Sequence, residues 1–276
     1  ALEDAAEILS HDERAKNWLL IADRMRDAFT SQFWDEKDDY LASALTYRDG
    51  VLKPLDVPNI TAGWCLNTSL WKKLPKGEHE EKVSAIVNRL FSDEFLTDVG
   101  IRTRSKYVEE PLGKKVVDYH GSQTVWPMFT FKVIEGLQRQ HMYELAEQLT
   151  RRLINGVNSA EGFQEFLIVD KDGRLKIPTN SKRADVQQVQ MLPEKRIAFT
   201  IVPLIMLAFR HNHPLERRPQ LAWQRELEQT ILSSIPLVDR YDPREAVGFL
   251  DPTHVRLSRK VGWLWSFGYL QEPKVR

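Results

Sequence analysis

The chain has 276 residues, of which 42% are apolar and eight are tryptophan, so it can bury a substantial core in one large domain or two small ones. Its 39 basic and 39 acidic residues leave no net charge, which argues against a protein that recruits nucleic acid or an anionic membrane. The single cysteine, Cys65, excludes an intrachain disulfide, and no apolar run is long enough to cross a membrane.

Two features of the sequence bear on the cellular location of the protein and on whether the chain is part of a longer polypeptide. The solitary cysteine and the lack of a signal-peptide pattern favour a cytoplasmic location. The chain opens at Ala1, and the segment from Leu2 to Leu9 already has the character of the middle of a helical domain. We therefore expect the chain to be a piece of something longer.

The first predicted element is a helix from Asp12 to Phe33, where apolar residues recur at helical spacing after Ser10 as the N-cap. An acidic turn then leads to a short strand, Tyr40 to Thr46, and to a turn at Asp49-Gly50. We interpret the acidic turn as solvated surface and not as a calcium site, because the regular oxygen spacing and the glycine of a calcium loop are absent.

Four more helices are predicted before residue 155, over Asn59–Leu74, Lys82–Phe91, Pro127–Gln138 and His141–Leu153. Between the second and third of these, we expect Phe95 to Arg104 to reach the surface at Gly100. The loop that follows, near residues 108–117, precedes a polar helix entrance, which is where binding residues usually lie.

The rest of the chain continues the helical pattern. A hairpin with an Asp-Gly turn is predicted over Phe166–Leu175, an apolar helix containing Pro203 over Leu192–Arg210, and an amphipathic helix over Gln220–Leu232. The sum is seven or eight helices in consecutive hairpins, an all-α fold with short β-hairpins at one end. Strands and helices do not alternate as in a parallel sheet, and no glycine-rich phosphate loop is present.

A polar cluster from Asp118 to Pro127, with the sequence Asp-Tyr-His-Gly-Ser-Gln-Thr-Val-Trp-Pro, stands at the entrance of the helix that begins at Pro127. It gathers Tyr, His, Gln and Trp, which hydrogen-bond or stack on polar rings, around a glycine that lets the backbone turn. Such a cluster suits a sugar.

Glu165 is the second candidate, because it lies between two phenylalanines just after a glycine-containing loop. Two antiparallel helices of similar length return the chain to the level where it started. His120 and Glu165 are therefore expected at the same end of one helical hairpin.

Each candidate also has a purely structural interpretation. Asp118 can serve as a helix N-cap, His120 as a hydrogen-bonded core histidine, and Glu165 as a surface or salt-bridged carboxylate. Trp64, on the entry turn of its helix, is either a platform for a sugar ring or a core tryptophan, and the second use is the commoner.

Several short motifs, in order and at their spacing, resemble the C-terminal domain of glycogen debranching enzymes (amylo-α-1,6-glucosidases) and the wider six-hairpin glycosidase superfamily. The resemblance covers about residues 1–209. The motifs are Phe33-Trp34-Asp35-Glu36, Pro58-Asn59, Gly100-Ile101-Arg102-Thr103, Tyr119-His120-Gly121, Val125-Trp126-Pro127 and Glu165.

The resemblance implies an (α/α)6 toroid and inverting hydrolysis, in which one carboxylic acid protonates the leaving oxygen and one carboxylate activates water. It assigns Glu165 as the general base. It places in the sugar-binding site the residues Tyr119, His120, Gln123 and Trp126, with Trp64 as a further candidate. The superfamily's general acid lies upstream of the matched region, and Asp118 is the fallback acid.

These inferences give a complete expectation for the chain. Residues 1–213 would form the C-terminal portion of an (α/α)6 catalytic domain, with residues 214–276 as an extra helix and an irregular or short-strand tail packed on it. Seven or eight helices cannot close a twelve-helix ring, so an upstream segment or another chain is expected to cover the open edge.

The expected function is a glycoside hydrolase module that acts on an α-linked glucan or oligosaccharide, with no metal or other cofactor and with no nucleic-acid or membrane partner. The alternative is a non-catalytic carbohydrate-binding remnant, or a helical scaffold, that lacks the general acid. No repeat of about 34 or 40 residues is visible, which weighs against the common helical arrays.

Overall fold

The structure is a computed structural model, and it describes residues 13–71, 73–108, 119–160, 163–176, 198–214, 216–239 and 242–244. Within them lie seven α-helices and eight short strands that pair in antiparallel twos. The helices are α1 Glu13–Ala28, α2 Thr61–Trp64, α3 Lys76–Leu90, α4 Pro127–Arg139, α5 Tyr143–Ser159, α6 Ala198–Asn212 and α7 Ala222–Ser234. The strands are β1 Trp34–Asp35, β2 Tyr40–Leu41, β3 Leu45–Arg48, β4 Val51–Pro54, β5 Leu96–Thr97, β6 Gly100–Ile101, β7 Thr124–Val125 and β8 Leu167–Ile168.

The first helix and the turns after it confirm the sequence prediction. A π-helical turn, Phe29–Phe33, continues α1 to the predicted end. The acidic turn joins β1 to β2, and the predicted strand is divided because Leu41 pairs with β1 whereas Leu45 begins a second hairpin. Asp49 and Gly50 close that hairpin with φ of 55° and 76°, the two positive values that a type I′ turn requires.

The helix predicted over Asn59–Leu74 is much shorter than expected. Only α2 and a 3₁₀ turn at Cys65–Asn67 are helical. The cause is local, because the carbonyl of Cys65 accepts hydrogen bonds from the Thr68 hydroxyl at 2.6 Å and from the Trp71 indole at 2.8 Å. Side chains thus satisfy a carbonyl that a continuing helix would have bonded, and the helix ends.

The segment from Phe95 to Arg104 reaches the surface at Asp98 and not at Gly100, which is buried, and this corrects the expectation for Gly100. Its two strands form a buried hairpin, and Phe95, Ile101 and Arg102 are at most 1% exposed. Gly100 has a φ of 146°, and a Cβ atom there would lie 2.8 Å from the hydroxyl oxygen of Thr130. Glycine is needed here by both the backbone conformation and the close approach of α4.

Helices α4 and α5 form an antiparallel hairpin in the middle of the core. Pro127 starts α4 at the first helical position, where its missing N–H costs no hydrogen bond. Three residues, Gln140 to Met142, connect the helices, and His141 adopts a φ of 61° in this turn. Both helices bury apolar faces, so the predicted helices over Pro127–Gln138 and His141–Leu153 are confirmed, the second with a longer C-terminal end.

Strands β7 and β8 position the candidate site. Thr124 pairs with Ile168 and Val125 with Leu167, so the entrance of α4 is tied to the segment that follows α5. The predicted turn before Gly173 is present, with a φ of 88° at that glycine. The arms of the predicted hairpin meet only at the bridge between Val169 and Leu175, because β8 pairs with β7 instead.

The last two described helices also match the sequence pattern. Helix α6 carries Pro203 in its interior, and the first residues of the predicted helix, 192–197, lie outside the described residues. Helix α7 confirms the predicted amphipathic helix, while the predicted tail lies almost wholly outside the described part of the chain. Among the described helices, none is both long enough and apolar enough to span a membrane.

Candidate active site

The structure brings the polar cluster and the segment around Glu165 into direct contact. The Tyr119 hydroxyl donates a short hydrogen bond to the Glu165 carboxylate, across 46 residues of chain. The contact follows from the architecture, because β7 and β8 join the start of α4 to the strand just after Glu165. The expected proximity at one end of the α4–α5 hairpin is therefore observed.

Glu165 is held on a rigid segment. It is 8% exposed, and the neighbouring Phe166 is fully buried. The Gln164 side chain donates to the carbonyl of Ala160 at 3.1 Å, and the Thr200 hydroxyl donates a short hydrogen bond to the Gln164 carbonyl. The C-terminal end of α5 and the first turn of α6 thus fix the backbone on which the carboxylate stands.

Aromatic rings pack around this carboxylate. The ring of Trp126 lies nearly parallel to those of His120, Phe129 and Phe166, with centroids 5.1 to 5.5 Å apart. Its indole N–H donates to the Tyr119 carbonyl at 3.1 Å. Such offset stacking, with a buried indole that finds an acceptor, is the usual packing of large aromatic side chains.

This packing changes the role available to Trp126. The residue is only 4% exposed, so it offers almost no surface of its own for stacking. His120 is exposed, and its ring lies 5.1 Å from the ring of Trp126. Within the described part of the chain, Trp126 supports the wall of the site and His120 forms its outer surface.

The remaining candidates lie close to this cluster. Trp64 packs edge-on against Phe129 with centroids 4.8 Å apart, and its buried indole N–H has no acceptor among the described residues. The backbone carbonyl of Gln123 accepts from the amide of Val169 at 2.9 Å, so Gln123 belongs to the frame of the site. Asp118 lies outside the described residues, as does the loop before it.

Sequence reasoning missed Phe129, Phe166, Gln164 and Thr200, which complete the site. The first two read as ordinary core residues of a helix and a strand. The other two act through a backbone carbonyl, which leaves no signal in a residue pattern. Among the described residues, no group of three or more histidine, cysteine, aspartate or glutamate side chains is arranged to hold a metal ion.

A cavity of about 1040 Å³ lies at the opposite end of the α4–α5 hairpin and is separate from this site. Gln138, His141 and Arg210 are part of its lining, whereas none of the candidate site residues is. The Arg210 guanidinium there is bonded to Glu135 at 2.7 Å and to Gln138 at 2.8 Å.

Comparisons with known proteins give a match in fold and none in sequence. No protein-family model matches the chain, and no curated protein matches it in sequence. Among solved structures it is similar to neutral trehalase Nth1 from Saccharomyces cerevisiae, with a TM-score of 0.51 and 14% identity over 93% of this chain and 41% of that one. The two chains share a fold.

The match confirms the predicted fold class. The described chain is mostly helical hairpins with a few short β-hairpins, as expected for part of an (α/α)6 toroid, and the shared fold agrees with this class. The chain spans about two-fifths of the length of the trehalase chain that it matches. The comparison does not support the debranching enzymes in particular, and at this identity it shows the fold alone.

Proposed function

We propose that this chain is the part of a glycosidase that carries the general base, and that Glu165 is that base. The observation behind the proposal is the hydrogen bond from Tyr119 to Glu165 inside an aromatic cluster with an exposed histidine. A carboxylate held in a mostly buried aromatic setting can activate water next to a sugar ring.

The contacts of Glu165 suggest a different role for each of its two carboxylate oxygens and for the residues around it. Tyr119 bonds to one oxygen, Oε1, and so holds the carboxylate in one orientation. The other oxygen, Oε2, has no hydrogen-bond partner among the described residues and is available to accept a proton from water. His120 would contact the sugar, Gln123 would hold a hydroxyl, and Trp126 would keep the His120 ring in place.

Inverting hydrolysis also needs a carboxylic acid on the opposite face of the sugar, about 6.5 to 9.5 Å from the base. We propose that this acid comes from an upstream segment, as the resemblance to debranching enzymes implies, with Asp118 as the fallback. The position of Asp118 relative to Glu165 remains a prediction.

The same upstream segment would cover the open edge of the toroid. Four apolar residues of α1 are between 38% and 52% exposed: Leu19, Leu20, Ile21 and Met25. Several exposed large apolar side chains on one surface helix are typical of a docking site. We propose further helical hairpins of a longer polypeptide as its occupant, because the described helices are too few for a twelve-helix ring. A second copy of the chain is the other possible outcome.

The proposed substrate is an α-linked glucan or oligosaccharide. A debranching activity predicts cleavage of an α-1,6 linkage, whereas the name of the structural neighbour adds trehalose to the sugars worth testing. A panel of trehalose, isomaltose and maltooligosaccharides therefore separates the two possibilities.

The experiment that tests the proposal compares the chain with Glu165→Gln on this panel, each combined with the upstream segment that is proposed to supply the acid. A glutamine keeps the shape but cannot accept the proton, so we expect hydrolysis to fall by about 100- to 10,000-fold. Glu144→Gln, at the other end of α5, is the matched control and should leave the rate unchanged. Equal activity of the chain and Glu165→Gln would reject Glu165 as the base.

The alternative is a carbohydrate-binding remnant without turnover. It predicts that calorimetric titration detects maltooligosaccharide binding while the folded chain hydrolyses nothing, with or without a separately expressed upstream segment. A helical scaffold predicts neither binding nor hydrolysis.

A further inference from the structure

Arg102 is a fully buried arginine beside the candidate site, and its guanidinium joins two separate segments. It is 1% exposed. Its Nη1 atom donates to the carbonyl of Ser122 at 2.7 Å and to that of Asp170 at 3.0 Å, and its Nη2 atom donates to the carbonyl of Lys171 at 2.8 Å. Three backbone carbonyls are thus held by one side chain.

These carbonyls belong to the two segments that form the site. Ser122 lies between His120 and Gln123 in the polar cluster, and Asp170 and Lys171 begin the turn that follows Glu165 and β8. Next to the arginine, Thr103 donates from its backbone amide to the Thr124 carbonyl at 2.9 Å. The residues after β6 therefore contact the polar cluster through both backbone and side chain.

The surroundings of Arg102 show that its charge is retained at a cost. Burial lowers the pKa of the guanidinium, and the charges of Asp170, Asp172 and Asp93 oppose that shift. Its Nε atom has no acceptor among the described residues. A buried charge with an unbonded nitrogen is expensive, so its persistence calls for a benefit elsewhere.

The geometry also explains why the residue is arginine. The guanidinium is a planar fork whose donors point in fixed directions, so it can bond several carbonyls at once. Lysine has a single ammonium group on a flexible stem and cannot hold the same three carbonyls in one arrangement. Methionine would fill much of the volume and make no such bond.

We propose that Arg102 is a positioning residue, which sets the placement of the Tyr119–Gln123 segment relative to Glu165 and thereby the activity of the site. It acts through the carbonyls of Ser122, Asp170 and Lys171 and does not contact the sugar. The predicted effect on catalysis rests on the proposed function. The three hydrogen bonds from Arg102 to the carbonyls of Ser122, Asp170 and Lys171, which we call the clamp, can be tested without any substrate.

The test compares Arg102→Met and Arg102→Lys with a matched control, Arg152→Met. Arg152 is also buried, at 3% exposure, and also donates to backbone carbonyls, those of Thr97 at 3.0 Å and of Pro236. Neither of those carbonyls belongs to the polar cluster or to the turn after β8. The control therefore loses a similar buried guanidinium without loosening the clamp.

The first readout is hydrogen exchange of peptides that contain Thr103 and Val169, whose backbone amides donate to the carbonyls of Thr124 and Gln123 in the polar cluster. We expect Arg102→Met to exchange at least about tenfold faster there than Arg152→Met, both measured well below their unfolding transitions. Arg102→Lys should fall in between. Equal exchange in the two methionine variants would overturn the proposal.

The second readout is turnover of the sugar that the unaltered chain hydrolyses. A displacement of about 1 Å costs about 100-fold in rate, so kcat of Arg102→Met should fall by that factor with little change in KM, and Arg102→Lys should recover part of it. If the unaltered chain hydrolyses no sugar even when the upstream segment is supplied, the proposed function fails while the exchange experiment still decides the positioning role of Arg102. If Arg102→Met and Arg152→Met lose kcat equally, the positioning role is rejected.

Discussion

Helices α1 and α5 have similar lengths, yet their environments are opposite. In α5 one face is completely buried, and Leu149 and Leu153 have no exposed surface. In α1 only Ala15 and Arg26 are buried, while Leu20 and Met25 are 51% and 52% exposed. Helical periodicity therefore shows which face of a helix is apolar, but it does not show whether anything covers that face.

The β-hairpins repeat the contrast. Hairpin β5–β6 is buried between helices, and β3–β4 leaves Tyr47 75% exposed and Val51 54% exposed. The exposed helix and the exposed hairpin belong to the first third of the chain, whereas the candidate site lies in the packed part. We interpret the exposed region as the edge at which the toroid continues, as proposed above.

The largest effect is expected from a pair of identical substitutions on the two helices. Leu149→Ala removes a fully buried side chain and should lower the free energy of unfolding by about 2 to 5 kcal/mol. Leu20→Ala removes a half-exposed one and should cost less than about 1 kcal/mol. Urea denaturation measures both.

A cost above about 2 kcal/mol for Leu20→Ala would mean that α1 is already covered in solution, by a second copy of the chain. Light scattering at the same concentration identifies that case. With an upstream segment added in excess, the cost of Leu20→Ala should rise toward that of Leu149→Ala if the proposed covering is correct.

A smaller effect is expected where α7 is attached to the packed region. Glu228 is 4% exposed, and its Oε1 atom accepts from the amides of Glu144 at 2.7 Å and Leu145 at 3.0 Å. It caps the first turn of α5, where amide groups have no partner within the helix. Glu228→Ala should cost about 1.5 to 3 kcal/mol, because charge-assisted bonds to buried amides are lost.

Glu226→Ala is the control for this measurement, because Glu226 is exposed on the same helix. Thermal unfolding of the two variants under one buffer condition gives the comparison. Equal melting temperatures would show that the capping carboxylate of α7 does not stabilise α5.

The smallest effect is expected at the one left-handed residue of the α4–α5 turn. His141 has a φ of 61°, a conformation that asparagine adopts more readily than histidine. His141→Asn should therefore raise the free energy of unfolding at low pH, by up to about 1 kcal/mol. A rise in stability would show that the packed region carries a small backbone strain at this turn, as the exposed hairpin does at Asp49, where φ is 55°.

The pH dependence of the same variant provides a second measurement. Burial, and then the nearby Arg218 charge, lower the pKa of His141 below its ordinary value. Between the folded pKa and about pH 6.5, the unfolded chain therefore binds more protons at His141 than the folded chain does. The stability that the neutral imidazole contributes is present above about pH 6.5 and is lost as the pH falls through the folded pKa. Urea denaturation between pH 5 and 7.5 should show a free energy of unfolding that rises with pH in the unaltered chain, and this rise should be smaller in His141→Asn.

Several parts of the site follow from sequence alone. The polar cluster stands before Pro127 and the glutamate stands after a helix of similar length, so two antiparallel helices had to return Glu165 to the level of His120. The resemblance to glycosidases then gave a reason to combine them. Local pattern was sufficient because both residues are set by helix length and direction.

Other parts did not follow from the sequence. The burial of Trp126 depends on Phe129 in helix α4 and on Phe166, which directly precedes strand β8 and is 40 residues further along the chain than Trp126. The end of α2 depends on two side chains that bond the Cys65 carbonyl. In the sequence Arg102 is one residue of a short motif that gives no sign of its partners, and only the fold shows which carbonyls it binds.

The sequence by itself determined most of the helices, their order, the tight turns and the residues proposed to carry the chemistry, because periodicity, glycine and proline act within a few residues. The tertiary structure decided which apolar faces are covered, which aromatic ring faces outward and which segments Arg102 joins. Those outcomes depend on contacts between residues that are distant in the chain, and burial and hydrogen bonding at such distances have no local signature.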